Sequence, residues 1–197
     1  MNSLMIMENS NRKAFIITAP SGAGKSTIIS YLKDVFDCLE FSISATTRPP
    51  RENEKQGVHY YFLSLTNFKK KVEKKEFLEW EEVYSGTYYG TLKSELDRVW
   101  SLRKYPIFDV DVLGALNIMR VINSGVAMSI FIDVKSIDVL KSRLMARGSE
   151  SAESLKTRLK KANHELSFKK KFDKIVLNEN LTDACRDIKT MIENHIK

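Results

Sequence analysis

Hydrophobic residues form four short, nearly continuous runs along the chain. The runs are Ala14 to Thr18, Ile107 to Val110, Ser129 to Val134, and Ile175 to Leu177. They contain many β-branched residues and do not alternate with polar ones, which is typical of parallel strands that helices cover on both faces. The pattern therefore predicts a buried parallel sheet.

Two further stretches space their apolar residues at the period of amphipathic helices. One stretch follows the first run directly, and the other ends the chain. Their apolar positions are Ile28, Ile29, Leu32, Val35 and Phe36, and Leu181, Ala184, Cys185, Ile188, Met191 and Ile192. Strands that alternate with helices predict an α/β fold with three layers, α/β/α, around a parallel core sheet.

Two segments interrupt this alternation. Aromatic and threonine-rich pieces with turn residues between them fill residues 42–92. They predict a small, mainly antiparallel insertion. A polar stretch at residues 147–154 separates two helical patterns and predicts a mobile loop.

Composition narrows the class of protein. The 197 residues are enough for one compact domain, and the apolar fraction of 43% is ordinary for a globular protein. No apolar run approaches the roughly 20 residues of a membrane helix. We interpret residues 1–12 as a disordered leader and expect a cytoplasmic protein without a membrane partner. Cys38 and Cys185 lie far apart, which argues against a disulfide framework and a zinc site.

The formal net charge of +7 raises the alternative of a nucleic-acid-binding protein. The lysines, however, occur in short runs among apolar residues at helical spacing. The runs are Lys69-Lys70-Lys71, Lys74-Lys75, Lys160-Lys161 and Lys169-Lys170-Lys171. We interpret them as solvated helix faces rather than as a surface for nucleic acid.

The strongest chemical motif links the first strand to the first helix. Its residues are Ala19-Pro20-Ser21-Gly22-Ala23-Gly24-Lys25-Ser26-Thr27. Gly22 and Gly24 allow backbone N–H groups to turn inward around phosphate oxygens. Lys25 is expected to reach the β- and γ-phosphates of a nucleoside triphosphate, and the Ser26 hydroxyl to bind Mg²⁺. Ala19 stands where the strict pattern has glycine, which is compatible with the motif if its φ is negative.

Candidate groups for a second substrate lie in the insertion. Arg48 and Arg51 flank two prolines that fix their spacing, so the two guanidinium groups can clamp one phosphate. The alternative is an ordinary exposed loop. Glu79 lies in an apolar setting, and a carboxylate can accept two parallel hydrogen bonds from N1–H and N2–H₂ of guanine. Tyr60 and Tyr89 offer hydroxyl donors.

In these motifs and their order, the chain resembles the guanylate kinases over about residues 14–195. The matching segments are PSGAGKST at 20–27, SISATTRPPR at 42–51, GVHYYF at 57–62, EFLEW at 76–80, YYGT at 88–91, DVD at 109–111, RLMARG at 143–148, and Asn178. The resemblance implies a P-loop NTPase fold and Mg²⁺-dependent transfer of the γ-phosphate of ATP to GMP. The stretch from 79 to 89 is one residue longer than is typical of the family.

The resemblance also implies roles for individual residues. ATP contacts are expected at Ser21, Gly22, Ala23, Gly24, Lys25, Ser26, Thr27 and Asn178. Guanine contacts are expected at Ser44, Glu79, Thr91 and Asp111, and contacts to the GMP phosphate at Arg48, Arg51, Tyr60 and Tyr89. The catalytic set is Lys25, Arg48, Arg143, Arg147 and Arg158, and the Mg²⁺ ligands are Ser26 and Asp109.

The implied organisation has three parts. Residues 13–43, 93–138 and 166–197 form the P-loop core, residues 44–92 the GMP-binding subdomain, and residues 139–165 a mobile helical lid. The expected partners are the small molecules ATP and GMP, with no nucleic acid, for a monomer or weak homodimer. Two alternatives stay open: a protein-interaction module with the same fold but no catalysis, and a kinase for another nucleoside monophosphate.

Overall fold

The computed structural model describes residues 12–122, 125–146 and 152–197 of the chain. The helices in these ranges are α1 Lys25–Val35, α2 Leu65–Glu73, α3 Lys93–Ser101, α4 Val112–Val121, α5 Ile137–Ala146, α6 Ala152–Leu166 and α7 Leu181–Ile196. The strands are β1 Ala14–Thr18, β2 Leu39–Phe41, β3 Ser44–Thr46, β4 Tyr61–Phe62, β5 Phe77–Tyr84, β6 Thr87–Leu92, β7 Tyr105–Asp109, β8 Ala127–Asp133 and β9 Lys174–Leu177.

The larger sheet is parallel throughout, with the strand order β2-β7-β1-β8-β9. The four hydrophobic runs correspond to β1, β7, β8 and β9, so the predicted parallel core sheet is confirmed. The edge strand β2 was not predicted, because its three residues are too few to form an apolar run, and only Leu39 is fully buried.

Helices cover both faces of this sheet. Along β1, Phe15 and Ile17 face one apolar cluster, and Ala14 and Ile16 face the other. Helices α1, α5, α6 and α7 contribute to the first cluster, and α3 and α4 to the second. The predicted three-layer architecture is therefore correct. None of the described helices is both long and apolar enough to cross a membrane.

The smaller sheet lies within residues 44–92 and has the order β4-β3-β6-β5. Its β3–β6 and β5–β6 pairs are antiparallel and its β3–β4 pair is parallel, as expected for a mainly antiparallel insertion. Phe68 of α2 stacks on Phe77 of β5 at 4.5 Å between ring centroids, which anchors that helix to the sheet. The insertion thus has a small core of its own.

Two predicted segments are only partly described. Residues 1–11 of the expected leader lie outside the described residues, as do residues 147–151 of the expected mobile loop. Residues 152–154 are helical, because α6 begins at Ala152. The loop prediction was therefore wrong for those three positions. The division into core, GMP-binding subdomain and lid stays a prediction.

Asp173, the residue just before β9, forms hydrogen bonds with Ser129, a buried residue of β8. The Asp173 carboxylate accepts hydrogen bonds from the Ser129 N–H at 2.8 Å and from the Ser129 hydroxyl at 2.6 Å. The Asp173 N–H donates in return to the Ser129 hydroxyl at 3.0 Å. Because Ser129 is fully buried, both of its donors depend on this carboxylate.

We expect Asp173→Ala to lower the free energy of unfolding by about 1 to 3 kcal/mol, since it leaves buried donors unsatisfied. Urea titration of wild type and variant measures the difference. Lys135→Ala is the control, because it removes an exposed ion pair with Glu179 and is expected to change stability by less than about 1 kcal/mol. Equal effects of the two variants would contradict the role of Asp173.

Candidate nucleotide site

The loop between β1 and α1 has the backbone that the phosphate motif predicts. Gly22 has φ 90° and Gly24 has φ 96°, a conformation that favours glycine. Ala19 is buried and is not among the residues with positive φ, so its side chain is compatible with the loop. A cavity of about 290 Å³ opens over the loop, with Lys25 and Ser26 in its wall. The N-terminus of α1 points its free N–H groups toward this space.

Lys25 is held at the edge of the parallel sheet. Its Nζ lies 2.6 Å from Asp109 Oδ1 and donates to the carbonyl oxygen of Val110 at 2.8 Å. Asp109 is the last residue of β7, which is adjacent to β1 in the sheet, and Val110 follows it directly. Asp109 therefore balances the charge of Lys25 in this structure.

Asn178 and Arg143 pack against the outer side of the loop. The Asn178 Nδ2 donates to the Ala23 carbonyl at 2.7 Å, and Arg143 donates to the carbonyls of Asn178 at 2.9 Å and Ala23 at 3.4 Å. A Cβ on Gly24 would lie 2.4 Å from Asn178 Nδ2, so this contact requires glycine. Asn178 is 3% exposed, and its Oδ1 has no hydrogen-bond partner within the described residues.

The predicted lid arginines differ in their positions. Arg158 lines the loop cavity, and its Nη1 lies 3.4 Å from the Ser21 hydroxyl. Arg143 is not part of the cavity wall, because carbonyls of the loop and of Asn178 hold it outside. Arg147 lies outside the described residues.

Three predicted guanine-reading residues form one row across the smaller sheet. Ser44 pairs with Thr91, and Thr91 pairs with Glu79. The Thr91 hydroxyl donates to Glu79 Oε1 at 2.7 Å. Glu79 is 9% exposed, and burial raises the pKa of its carboxyl to about 7. The β5–β6 ladder is regular from the Glu79–Thr91 pair to the Glu81–Tyr89 pair, so Tyr89 and Thr91 lie on the face of Glu79. The ladder becomes irregular only beyond these pairs, between Glu82 and Tyr84.

The fourth predicted residue, Asp111, approaches from the larger sheet. It caps α4 by accepting from the Gly114 N–H at 2.8 Å. A Cβ on Gly114 would lie 3.2 Å from Asp111 Oδ1 and 3.3 Å from Glu79 Oε2. Both carboxylates therefore converge on a helical residue without a side chain. They line a cavity of about 330 Å³, called here the base cavity, together with Ser44, Tyr60 and Tyr89.

Arg48 lies beside the base cavity but already has a partner. Its two terminal nitrogens donate to the Glu54 carboxylate at 2.6 and 2.7 Å. Its Nε donates to the Tyr89 hydroxyl at 3.2 Å, and its guanidinium lies 5.1 Å from the centroid of the Tyr60 ring. The pair lowers the pKa of Glu54 to about 2. Arg51 is exposed and does not line the cavity. The structure therefore does not bring Arg48 and Arg51 together on one site, and the two-arginine clamp stays a prediction.

Sequence reasoning missed four charged residues at the site: Glu54, Glu81, Lys161 and Glu165. Glu165 is 3% exposed, and burial raises the pKa of its carboxyl to about 7. Lys161 is exposed, as expected for a solvated helix face, but its Nζ also lies 3.2 Å from Asp111 Oδ2, a contact that the Lys160-Lys161 run did not predict. A signal was present, because Arg158, Lys161 and Glu165 are three and four residues apart and share one helix face.

Comparisons with known proteins identify the family of the chain. The family model described as "Guanylate kinase" matches residues 11–195. A guanylate kinase of Bacteroides fragilis is 48% identical over 172 residues, which cover 87% of this chain and 84% of the relative. A guanylate kinase of Porphyromonas gingivalis is 46% identical over 185 residues, which cover 93% and 98% of the two chains.

A solved structure supports the fold. The crystal structure of guanylate kinase from Anaplasma phagocytophilum matches with a TM-score of 0.70 at 24% identity. The match covers 94% of this chain and 87% of that one, and at this identity it supports the architecture alone. The family model and the two relatives show the family of the chain as well as its fold. The chain belongs to the guanylate kinase family.

Proposed function

We propose that the chain transfers the γ-phosphate of ATP to GMP and so forms ADP and GDP. One observation carries this proposal: a phosphate-loop cavity and a cavity with a buried, guanine-compatible carboxylate share a wall. Asp111 and Lys161 line both cavities. A donor phosphate and an acceptor nucleotide can therefore meet at this wall.

The base cavity suits guanine better than the other bases. Glu79 Oε1 accepts from Thr91, and Oε2 lies near Gly114 at the cavity wall. When ionised, this carboxylate is acceptor-only and matches the N1–H and N2–H₂ donors of guanine. We propose that Ser44, Thr91 and Asp111 complete the reading of the base.

The acceptor phosphate needs cations at the other end of the cavity. We propose that Arg48, Tyr60 and Tyr89 bind it, with Arg51 joining from the loop. Because Glu54 occupies both terminal nitrogens of Arg48, the phosphate either shares the guanidinium with Glu54 or displaces it. Direct hydrogen bonds from arginine to phosphate are strong enough to compete with such a pair.

The donor nucleotide is proposed to bind at the loop between β1 and α1. Backbone N–H groups of residues 21–27 and the charge of Lys25 suit the phosphates of ATP. The unpartnered Asn178 Oδ1 suits an amine donor such as the one adenine carries. Arg158 faces the same cavity from α6.

Family membership implies Mg²⁺, and the residues present fit it. Ser26 lines the loop cavity, Asp109 is partly exposed, and hydroxyl and carboxylate oxygens are ligands that Mg²⁺ prefers. We propose that these two residues hold the ion, Asp109 by its carboxylate beside Lys25. When bound, Mg²⁺ neutralises charge on the phosphate oxygens of ATP.

The chemistry requires positioning rather than a general base. The second pKa of a phosphate monoester is about 6, so the GMP phosphate is already an anionic nucleophile near neutral pH. One of its oxygens attacks the γ-phosphorus, the bond from that phosphorus to the β–γ bridging oxygen breaks, and ADP leaves. We propose that Lys25, Arg48 and Arg158 stabilise the charge that spreads over the transferring group.

Two further arginines complete the proposed catalytic set. Arg143 has to leave the carbonyls of Ala23 and Asn178 to act on the transferring group. Arg147 is four residues further along. We propose that residues 44–92 and 139–165 move relative to the core segments 13–43, 93–138 and 166–197 to assemble this set and exclude water. Family membership also supports a cytoplasmic enzyme, which we propose to be a monomer or weak homodimer acting without nucleic acid.

An interaction module without catalysis is not favoured. Such a module needs neither the lysine nor the hydroxyl of the phosphate loop, and this chain keeps Lys25 and Ser26 in the wall of one cavity with Arg158. A kinase for another monophosphate is not favoured, because adenine, cytosine, uracil and thymine do not offer two adjacent N–H donors for the buried Glu79 carboxylate.

We expect rapid ADP formation from MgATP with GMP and little with AMP, CMP, UMP or dTMP in a coupled assay. Glu79→Gln should lower kcat/KM for GMP by at least about 100-fold, because the site loses its paired acceptor for guanine. Glu82→Gln is the matched control, since Glu82 lies on the same strand, is exposed and does not line the cavity. Equal losses in the two variants would contradict guanine reading by Glu79.

A second prediction concerns how the stability of the protein depends on pH through Glu79. The pKa of Glu79 rises from its ordinary 4.5 to about 7 on folding, so its contribution to stability is fully present below 4.5 and is lost as the pH rises through 7. As the pH rises from about 5 to about 8, the free energy of unfolding of Glu79→Gln should therefore increase relative to that of wild type by up to about 3 kcal/mol. Urea titrations at intervals across this range measure the gain. A difference that does not change with pH would show that Glu79 is ionised as easily in the folded protein as in water.

A further inference from the structure

Lys161 lies where the two cavities meet. Within the described part of the chain, only Asp111 and Lys161 line both the loop cavity and the base cavity. Lys161 Nζ lies 3.2 Å from Asp111 Oδ2 and 3.8 Å from Glu165 Oε1. The side chain therefore connects α6, which carries Arg158, to the residue that caps α4.

The packing of α6 does not depend on this lysine. Leu159, Ala162 and Leu166 hold the helix against the apolar core, and they lie on the side of α6 that faces the sheet. Lys161 is exposed, and its neighbour Lys160 does not line either cavity. The pair of Lys161 with Glu165, four residues along the same helix, adds at most a few tenths of a kcal/mol to the stability of α6. It does not explain why the Lys161 ammonium lies closer to Asp111 than to Glu165.

The charges around Lys161 are mostly negative. Partial burial lowers the pKa of its ammonium, but the attraction of Asp111 and Glu165 more than offsets this and raises the pKa overall. Lys161 also lowers the pKa of the nearby Glu81 carboxyl, although burial raises that pKa on balance. Without the lysine, Asp111 and Glu81 in the wall of the base cavity would lack this cation, as would Asp111 and Glu165 in the wall of the loop cavity.

We propose that Lys161 is a positioning residue for the acceptor nucleotide. Its ion pair with Asp111 holds that carboxylate at the wall of the base cavity and fixes α6 to the same wall. The proposal rests on the proposed function, because it concerns how the base of GMP is held. Asp111 already uses Oδ1 to cap α4, so Lys161 orients the remaining oxygen, Oδ2.

A residue that acts through Asp111 leaves a particular kinetic signature. Loss of the lysine disturbs the base cavity, while the phosphate loop keeps Lys25 and Arg158. The KM for GMP therefore rises without a matching change in the KM for ATP. Arginine at the same position restores the ion pair, because it keeps the charge and a similar length.

The test compares wild type, Lys161→Met, Asp111→Asn and the double variant in the ADP-release assay. We expect Lys161→Met to raise the KM for GMP about tenfold. This is more than the loss of an exposed ion pair usually causes and less than the loss of a buried one. The KM for ATP should change less than about twofold, and Lys161→Arg should recover most of the loss. In the Asp111→Asn background the same change should add less than about twofold, because the partner is already gone.

Lys160→Met is the matched control, since it removes an adjacent charge from the same helix, and its KM values should equal those of wild type. Thermal unfolding of each variant shows whether the fold is intact, and Lys161→Gln replaces Lys161→Met if the latter unfolds. An unchanged KM for GMP, or a full additional loss in the Asp111→Asn background, would overturn the proposal. A wild-type protein that does not phosphorylate GMP would instead contradict the proposed function.

Discussion

The pairing of β1 with β7 is the constraint on which the site depends. The register places Ile17 beside Asp109, so both strands end at the same edge of the parallel sheet. The Val110 carbonyl there accepts from the Thr18 hydroxyl at 3.0 Å and from Lys25 at 2.8 Å. The chain that leaves β1 forms the phosphate loop, and the chain that leaves β7 forms the cap of α4. The proposed donor and acceptor sites are therefore adjacent because two strands are adjacent.

Because the two cavities are adjacent, several acidic side chains lie close together and their charges have to be compensated. Asp109, Asp111, Glu79 and Glu165 converge on two cavities whose proposed ligands are themselves anions. Burial keeps the pKa of Glu79 and Glu165 high, and ion pairs bind Asp109 to Lys25 and Asp111 to Lys161. The two buried carboxyl groups are thus easier to protonate than in water, and the two more exposed carboxylates are paired with lysines.

The sequence was informative where the relevant interactions are local. The phosphate loop and the buried strands follow from glycine positions and apolar runs, and the parallel sheet follows from their alternation with helices. Contacts between segments that are distant in the chain were harder to predict from the sequence. The lysine run at 160–161 predicts an exposed helix face, but nothing in that run shows that Asp111 lies opposite. The bidentate partner of Arg48 was missed for a related reason, because the turn that brings Glu54 back is defined by backbone geometry rather than by residue type.

Gly114 shows that a missing side chain can be as much a part of a site as a present one. It is the third residue of α4 and has no positive φ, so the backbone conformation does not require glycine there. A methyl group at this position would lie 3.2 Å from Asp111 Oδ1, which caps α4, and 3.3 Å from Glu79 Oε2. Alanine would fit only if one of these carboxylates moved, so the same residue sets the start of the helix and the width of the cavity proposed to hold the base.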